Sequence, residues 1–166
     1  KIIITSTSFT DATSERVKTF ENFYVDGRNV EGSVNKTITV DRQDHSRVAE
    51  ILEDITITFP DEDGTAHRVA SLIREYQFNK PGVLRDNIVT SFGTVNFTRA
   101  NGFKVTKAIS ESDPLIFKAS CRRIVSGVVT ITTSENSTWT IDYGDGECDN
   151  LATITRGDKT RVIRLR

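Results

Sequence analysis

The chain has 166 residues and a formal net charge of -1, with 22 Lys and Arg against 23 Asp and Glu and a sequence pI near 6.2. A chain of this length can bury one core without a metal or several disulfides. Because the two signs of charge are balanced and interspersed, no global charge favours nucleic acid or an anionic membrane as a partner. No apolar run reaches the ~18 residues that cross a bilayer as a helix, so we expect no transmembrane helix.

The first residues lie inside an apolar segment. Lys1 is followed at once by three isoleucines, with no initiator Met. This start predicts a mature or trimmed product of a longer precursor, whose upstream part includes a signal peptide. A sequence cut at an arbitrary point is the alternative. From the length of the chain we expect residues 1–166 to form a single all-β domain.

The N-terminal quarter alternates apolar with polar residues between turn formers, which is typical of strands. Residues 11–17, DATSERV, predict a loop or hairpin tip. Asp26-Gly27 is a strong hairpin turn signal, and Gly32 indicates a bulge. Strands are therefore predicted over residues 1–9, 18–25 and 28–40.

Local patterns conflict in the middle of the chain. Residues 46–54 are good helix formers, and residues 66–76 have apolar positions at helical spacing. Between them, residues 55–59 alternate strictly and lead into a turn at residues 60–64, which demands a hairpin with a strand on either side. Long-range pairing overrides weak local propensity, so we predict strands for both flanks, with one short helix at 46–54 as the alternative.

The second half repeats the hairpin pattern. Residues 79–82 predict a loop because Pro and Gly occur together, and residues 87–99 form with the Asn101-Gly102 turn the least ambiguous hairpin of the chain. Asp113-Pro114 breaks the pattern again. Four further strands are predicted at residues 128–133, 138–142, 151–156 and 160–165.

These elements predict an all-β fold of consecutive antiparallel hairpins, forming a β-sandwich or a meander, with at most one short helix. No fixed period recurs, which disfavours a solenoid. Threonines alternate with Ile, Val and Phe in the strands, so each strand has one apolar and one polar face.

Two cysteines, Cys121 and Cys148, lie in different hairpins. In an oxidising compartment the simplest use of the pair is one disulfide, which would add roughly 3 kcal/mol by closing the loop between them. A reactive thiol is the alternative, although neither cysteine lies beside a histidine.

Catalytic motifs are lacking in the sequence. Neither of the two histidines, His45 and His67, has a second metal-ligand residue at ligand spacing, which argues against zinc. No G-x-S-x-G elbow, phosphate-binding loop or dinucleotide-binding fingerprint occurs. We therefore predict that the protein is not an enzyme and holds no cofactor other than, in one hypothesis, calcium.

The calcium hypothesis concerns the acidic turn DYGDGECD. Asp142, Asp145 and Asp149 lie close together on a glycine-rich loop, and carboxylates in such a loop can bind Ca²⁺. Their spacing is not that of an EF-hand. The structural alternative is a tight turn in which Gly144 and Gly146 permit positive φ and the carboxylates accept backbone hydrogen bonds.

Aromatic residues suggest a second binding hypothesis, because exposed rings on a β surface can stack on sugars. Trp139 and Tyr143 are the candidate platform, with Phe23 and Tyr24 as further candidates. The alternative is a core role, which is the commoner use of a lone Trp in an alternating strand.

The C-terminal run TWTIDYGDGECDNLATITRGDKTRVIRLR, with CRRIVSGVVTI before it and NFYVDGRNVEGS near the start, resembles a group of uncharacterised secreted lipoproteins of Bacteroidota. The resemblance covers most of the chain. It implies that Cys121 pairs with Cys148, that residues 46–78 form strands, and that the protein is exported. In that group a signal peptide, a lipid-attachment cysteine and a further β segment precede the corresponding region, so a lipid anchor upstream is expected. No known activity comes with the resemblance.

Two functional classes follow. The first is a non-enzymatic structural protein of the cell envelope or extracellular space, an adhesion module or fibre subunit assembled by strand exchange with copies of itself or other envelope proteins. The second is a glycan- or calcium-binding module of a surface lipoprotein. Either class places the protein outside the cell or on its outer surface.

Overall fold

The computed structural model describes residues 1–7, 12–60, 64–78 and 87–165. Twelve strands are present in these residues and no helix, so none of membrane-spanning length and hydropathy occurs there. The strands are β1 (Ile2–Ser6), β2 (Thr13–Val25), β3 (Arg28–Asp41), β4 (Ser46–Phe59), β5 (Gly64–Gln77), β6 (Ile88–Arg99), β7 (Lys104–Ile109), β8 (Leu115–Lys118), β9 (Arg123–Thr133), β10 (Thr138–Asp145), β11 (Leu151–Arg156) and β12 (Lys159–Arg164).

All twelve strands belong to one antiparallel sheet in which neighbours in sequence are neighbours in space. β7 and β8 share one position between β6 and β9. β7 pairs with the C-terminal half of β6, and β8 pairs with its N-terminal end. The two strands are therefore one interrupted strand, and the sheet confirms the all-β fold of consecutive antiparallel hairpins as a meander.

The sheet is a single open layer. Its accessible surface is 11148 Å², whereas a compact protein of 18.5 kDa exposes about 8,200 Å². The contacts within the apolar cluster, the Lys36–Tyr76 pair and the Thr106–Asn96 hydrogen bond join residues on the same strand, on adjacent strands or two strands apart. In the described residues, the side chains on each face of the sheet thus pack against cross-strand neighbours and not against a second layer.

Short turns fix the order of the strands. Asp26 and Gly27 both have positive φ, at 49° and 77°, and close the β2–β3 hairpin as predicted. Asn101-Gly102 closes the β6–β7 hairpin, where the Arg99 N–H donates to the Phe103 carbonyl over 2.9 Å. The predicted turn at residues 60–64 and loop at 79–82 fall largely on residues 61–63 and 79–86, outside the described part of the chain.

Two of the ambiguous segments are resolved by the register. Residues 46–54 lie in β4 and residues 66–76 in β5, paired residue by residue over their full length, so the strand prediction is confirmed and the helical alternative is wrong. The loop predicted at residues 11–17 is also wrong from Thr13 onward. Thr13 to Val17 pair with β3, and Arg16 and Val17 also pair with β1, so backbone pairing holds this largely polar segment as a strand.

The predicted bulge lies beside Gly32, not at it. Phe20 pairs with Gly32 but Phe23 pairs with Val30, so the extra residue is on β2, where Asn22 has φ 46°. Gly32 has a different role. Its φ is 117°, and a Cβ there would overlap the backbone carbonyl oxygen of Asp54 on β4.

Residues paired across strands share a face, which divides the sheet into two surfaces. One face carries the buried cluster of Ile38, Ala49 and Ile51, with Leu72 and Tyr76 packed against it. The other face is rich in threonine, with Thr130, Thr140, Thr155 and Thr160 aligned across four strands. The predicted alternation of an apolar and a polar face is therefore present.

We predict that Gly32→Ala lowers the free energy of unfolding by about 3 kcal/mol, because a side chain at positive φ is strained and would also overlap β4. Gly27→Ala is the matched control. Gly27 also has positive φ but has nothing within 4 Å of a Cβ, so it should cost about 1 kcal/mol. Urea denaturation measures both, and equal losses would contradict the close approach of β3 to β4.

Candidate functional site

The cysteine pair lies at one end of the C-terminal strands. Cys121 is in the turn between β8 and β9, Cys148 is in the loop between β10 and β11, and their Cα atoms are 5.5 Å apart in a disulfide. The Lys118 ammonium donates to the Gly146 carbonyl over 2.8 Å beside it. The bond therefore ties together two loops that are separated along the chain by β9 and β10.

We predict that the double variant Cys121→Ser, Cys148→Ser is less stable by roughly 3 kcal/mol, because a 27-residue sequence separation is no longer closed in the unfolded chain. For a domain of this size the melting temperature should fall by about 6–12 °C. Reduction of the native protein should give the same shift and should leave the double variant unchanged. Equal melting temperatures for native and variant protein would contradict a structural disulfide.

Two carboxylates of the acidic segment, those of Asp142 and Asp149, accept backbone hydrogen bonds. The Gly144 N–H donates to Asp142 Oδ1 over 2.8 Å, and the Leu151 N–H donates to Asp149 Oδ1 over 3.0 Å. Gly144 and Gly146 both have positive φ, but only Gly146 lies in the loop, because Gly144 is within β10 where the register with β9 shifts between Asp142 and Asp145. Within the described ranges, no three His, Cys, Asp or Glu side chains converge as metal ligands. Calcium binding by Asp142, Asp145 and Asp149 stays a prediction.

The candidate sugar platform is split by distance. Trp139 and Tyr143 are four residues apart on β10, which corresponds to about 13 Å along a strand. Trp139 is 38% exposed, its indole N–H donates to Ser137 Oγ over 2.9 Å, and the Arg156 guanidinium lies 4.9 Å from its ring centre. Tyr143 is half-buried, and burial raises the pKa of its hydroxyl. One sugar ring could contact Trp139 but not both aromatic residues.

The two histidines lie on different elements of the fold, His67 on β5 and His45 in the β3–β4 turn. His67 Nε2 lies 2.7 Å from Asp54 Oδ1, and both side chains are exposed on β5 and β4. His45 lies in the β3–β4 turn with φ 50°.

Tyr24, also considered for a platform, is 62% exposed on β2. It lies on the opposite face from Trp139, so these two rings do not form one surface.

A feature that sequence analysis missed is a basic face on the long strands β2 to β6. Register places one acidic residue there, Glu53, which forms an ion pair with Arg68. All Lys and Arg that the register assigns to β2–β6 lie on this face: Arg16, Lys18, Arg28, Lys36, Arg47, Arg68, Arg74 and Arg99. It is the same face that carries the apolar cluster.

The basic residues on this face cover its aromatic rings. Arg28 lies 5.1 Å from the ring centre of Phe59, and Lys36 lies 5.5 Å from that of Tyr76. The same arrangement recurs with Arg47 and Phe78, Arg99 and Phe103, and Arg156 and Trp139. A cation over an aromatic ring keeps its charge in water while its stem covers apolar surface.

The opposite side of the same five strands is an acidic face. The register places no Lys or Arg of β2–β6 on it, and its carboxylates are all exposed: Glu15, Glu31, Asp41, Glu50, Asp54 and Glu75. Exposed apolar residues lie among them, with Leu52 at 56%. The long-strand half of the sheet therefore carries opposite charge on its two sides.

The sequence does contain a signal for these faces. In β3 the basic residues Arg28 and Lys36 are at even positions, whereas Glu31 and Asp41 are at odd positions. In β4 the parity is reversed, with Arg47 odd and Glu50 even. Only the register shows that the even positions of β3 share a side with the odd positions of β4.

Among the described residues, the two outermost strands each pair on one side only. Lys1 exchanges backbone hydrogen bonds with Glu21, and the Thr7 N–H donates to the Glu15 carbonyl, so odd residues of β1 face β2. Because bonded pairs alternate in an antiparallel ladder, Ile2, Ile4 and Ser6 present their N–H and C=O groups to the open edge. On β12 the bond from Leu165 to Asn150 leaves Thr160, Val162 and Arg164 facing outward in the same way.

Comparison with protein-family models, with curated proteins and with solved structures finds no match to this chain.

Proposed function

We propose that the chain is a non-enzymatic structural protein of the cell envelope or extracellular space, an adhesion module or fibre subunit whose copies assemble by strand addition. The observation that supports this most directly is the open edge of β1 in a sheet over which the described residues form no second layer. An unpaired edge presents a row of donors and acceptors that a strand from another chain can complete.

The two edges differ in how they are protected. On β1 the residues at the open edge include Ile2 and Ile4, which are 43% and 58% exposed, and no charged residue lies within the strand. β12 carries Lys159, Arg161 and Arg164. Charged side chains on an edge strand oppose pairing. We therefore assign β1 as the edge that accepts a partner strand, and we expect β12 to be the less reactive edge.

Exposed area is consistent with a protein that is completed by association. The surface of 11148 Å² exceeds that of a compact monomer of this mass by about 3,000 Å². Obligate interfaces bury about 2,000–5,000 Å². Export to the envelope rests on the resemblance of the C-terminal run to secreted lipoproteins and on the cysteine pair, which is typical of oxidising compartments.

We predict that Ile4→Pro abolishes edge-mediated assembly with little loss of stability, because proline removes an N–H that faces the open edge. Thr5→Pro should instead lower the melting temperature, since the Thr5 N–H faces β2. Ile4→Thr retains the N–H and controls for loss of the side chain. Electron microscopy and sedimentation velocity measure assembly, and unchanged assembly of Ile4→Pro would contradict strand addition at β1.

Glycan binding is a second candidate, favoured by the exposed ring of Trp139 beside Arg156. We predict that a wild-type signal on a glycan array is lost in Trp139→Ala and retained in Trp139→Phe, because stacking needs only a ring. Trp139 is the single tryptophan of the chain, so its fluorescence should change when a bound sugar is titrated. Binding that survives Trp139→Ala would contradict this site.

A further inference from the structure

The basic and acidic faces of β2–β6 are complementary to each other. Eight Lys and Arg with one Glu lie on one side, and six exposed carboxylates with no Lys or Arg lie on the other. The net charge of the whole chain is nevertheless -1. The charges are therefore separated across the thickness of one sheet, and a net charge near zero does little to keep copies apart.

We propose that copies of this chain stack face to face, with the basic face of one copy on the acidic face of the next. This contact differs from edge addition, because it uses side chains on the faces rather than backbone groups of β1. It does not depend on the proposed function, since a stack forms whether or not the edges pair.

Charge decides the orientation of the stack. Two basic faces in contact would place Arg47 and Arg74 of each copy opposite those of the other, and like charges across an interface are strongly unfavourable. Two acidic faces would oppose Glu50 and Glu75 in the same way. Contact between unlike faces pairs each set with its complement. The second copy is therefore favoured as the occupant of both faces.

Apolar side chains supply contact area between the charged residues. On the acidic face Val48, Leu52 and Val69 are 36%, 56% and 38% exposed. They lie on the adjacent strands β4 and β5, between Glu50, Asp54 and Glu75. Apolar and acidic side chains therefore alternate across this part of the face, and the apolar ones supply the area that is buried in a contact.

Each face of β2–β6 is large enough for a stable protein–protein interface. β2 to β6 are strands of 12 to 14 residues, which gives each face roughly 45 Å by 24 Å from the standard rise and strand spacing. The area is about 1,000 Å², above the ~800 Å² per partner of a standard interface. Because the two contacting faces differ, the contact does not close on itself and generates an open stack, with sheets about 10 Å apart.

The test reverses charge on one face at a time. Variant one carries Arg47→Glu and Arg74→Glu on the basic face. Variant two carries Glu50→Lys and Glu75→Lys at neighbouring positions on the other side of the same two strands. Reversal leaves six Lys and Arg against three Glu on the basic face of variant one, and four carboxylates against two Lys on the acidic face of variant two. Each variant alone should therefore associate at least tenfold more weakly than wild type in sedimentation velocity, because its altered face loses most of its net charge and meets like charges at the reversed positions.

Mixing the two variants should restore association. In the mixture the unaltered basic face of variant two meets the unaltered acidic face of variant one, so this contact has the full charge complementarity of the wild type. Wild-type association should also weaken when NaCl is raised from about 20 mM to about 500 mM, because the screening length falls from roughly 20 Å to roughly 4 Å. Glu111→Lys with Glu135→Lys, in two turns outside the strands, makes the same charge change as variant two and should leave association intact.

Circular dichroism and thermal melting establish that each variant is folded. If a reversal prevents folding, the neutral pairs Arg47→Gln, Arg74→Gln and Glu50→Gln, Glu75→Gln take its place and should weaken association by a smaller factor. A wild type that is monomeric at every concentration in low salt overturns the proposal. So does a mixture of folded variants that fails to associate, which would direct attention to an acidic macromolecule as partner of the basic face.

Discussion

Backbone hydrogen bonding between consecutive strands is the interaction on which this structure depends. Each of the long strands β2 to β5 is paired to the next over nearly its full length, and short turns bring the partners together. Loop closure between such neighbours costs little entropy. Because the part of the chain that the structure describes forms no second layer, side-chain packing comes from residues opposed across strands, such as Ile38 against Ala49.

A single layer must keep an apolar face in contact with water, and the basic face shows how this chain does so. Long basic side chains lie across aromatic rings, as Lys36 does on Tyr76 across the intervening strand. Small residues such as Ala49, Ala66 and Ala70 lie beneath them and are almost fully buried. The stems of Lys and Arg thus substitute in part for a second layer, while their charges remain hydrated. The charge asymmetry of the sheet is a consequence of this use of basic residues on the apolar side.

Turn residues and the alternation of apolar with polar residues were sufficient to predict most strands, because Asp-Gly and Asn-Gly, here Asp26-Gly27 and Asn101-Gly102, are strong signals of hairpin turns. The strands at residues 46–54 and 66–76 were predicted correctly because the alternation of Ile55, Ile57 and Phe59 between them was given more weight than local helix propensity. The segment from Thr13 to Val17 was missed, since it has a single apolar residue and is held by pairing with β3 along its length and with β1 at Arg16 and Val17. The opposed charge of the faces was also missed. Within each strand, basic and acidic residues fall on positions of opposite parity, odd or even, which the sequence shows. Which parity of one strand shares a face with which parity of the next depends on the register, a long-range property that no single segment displays.

The single open layer is tested most directly by small-angle X-ray scattering of the monomer, measured in high salt and extrapolated to zero concentration. A compact domain of 166 residues has a radius of gyration of about 15 Å. An open sheet with the strand lengths and spacing described above should have one of about 19 Å, with a flat-particle scattering profile. A value near 15 Å with a globular profile would contradict a one-layer sheet with two exposed faces.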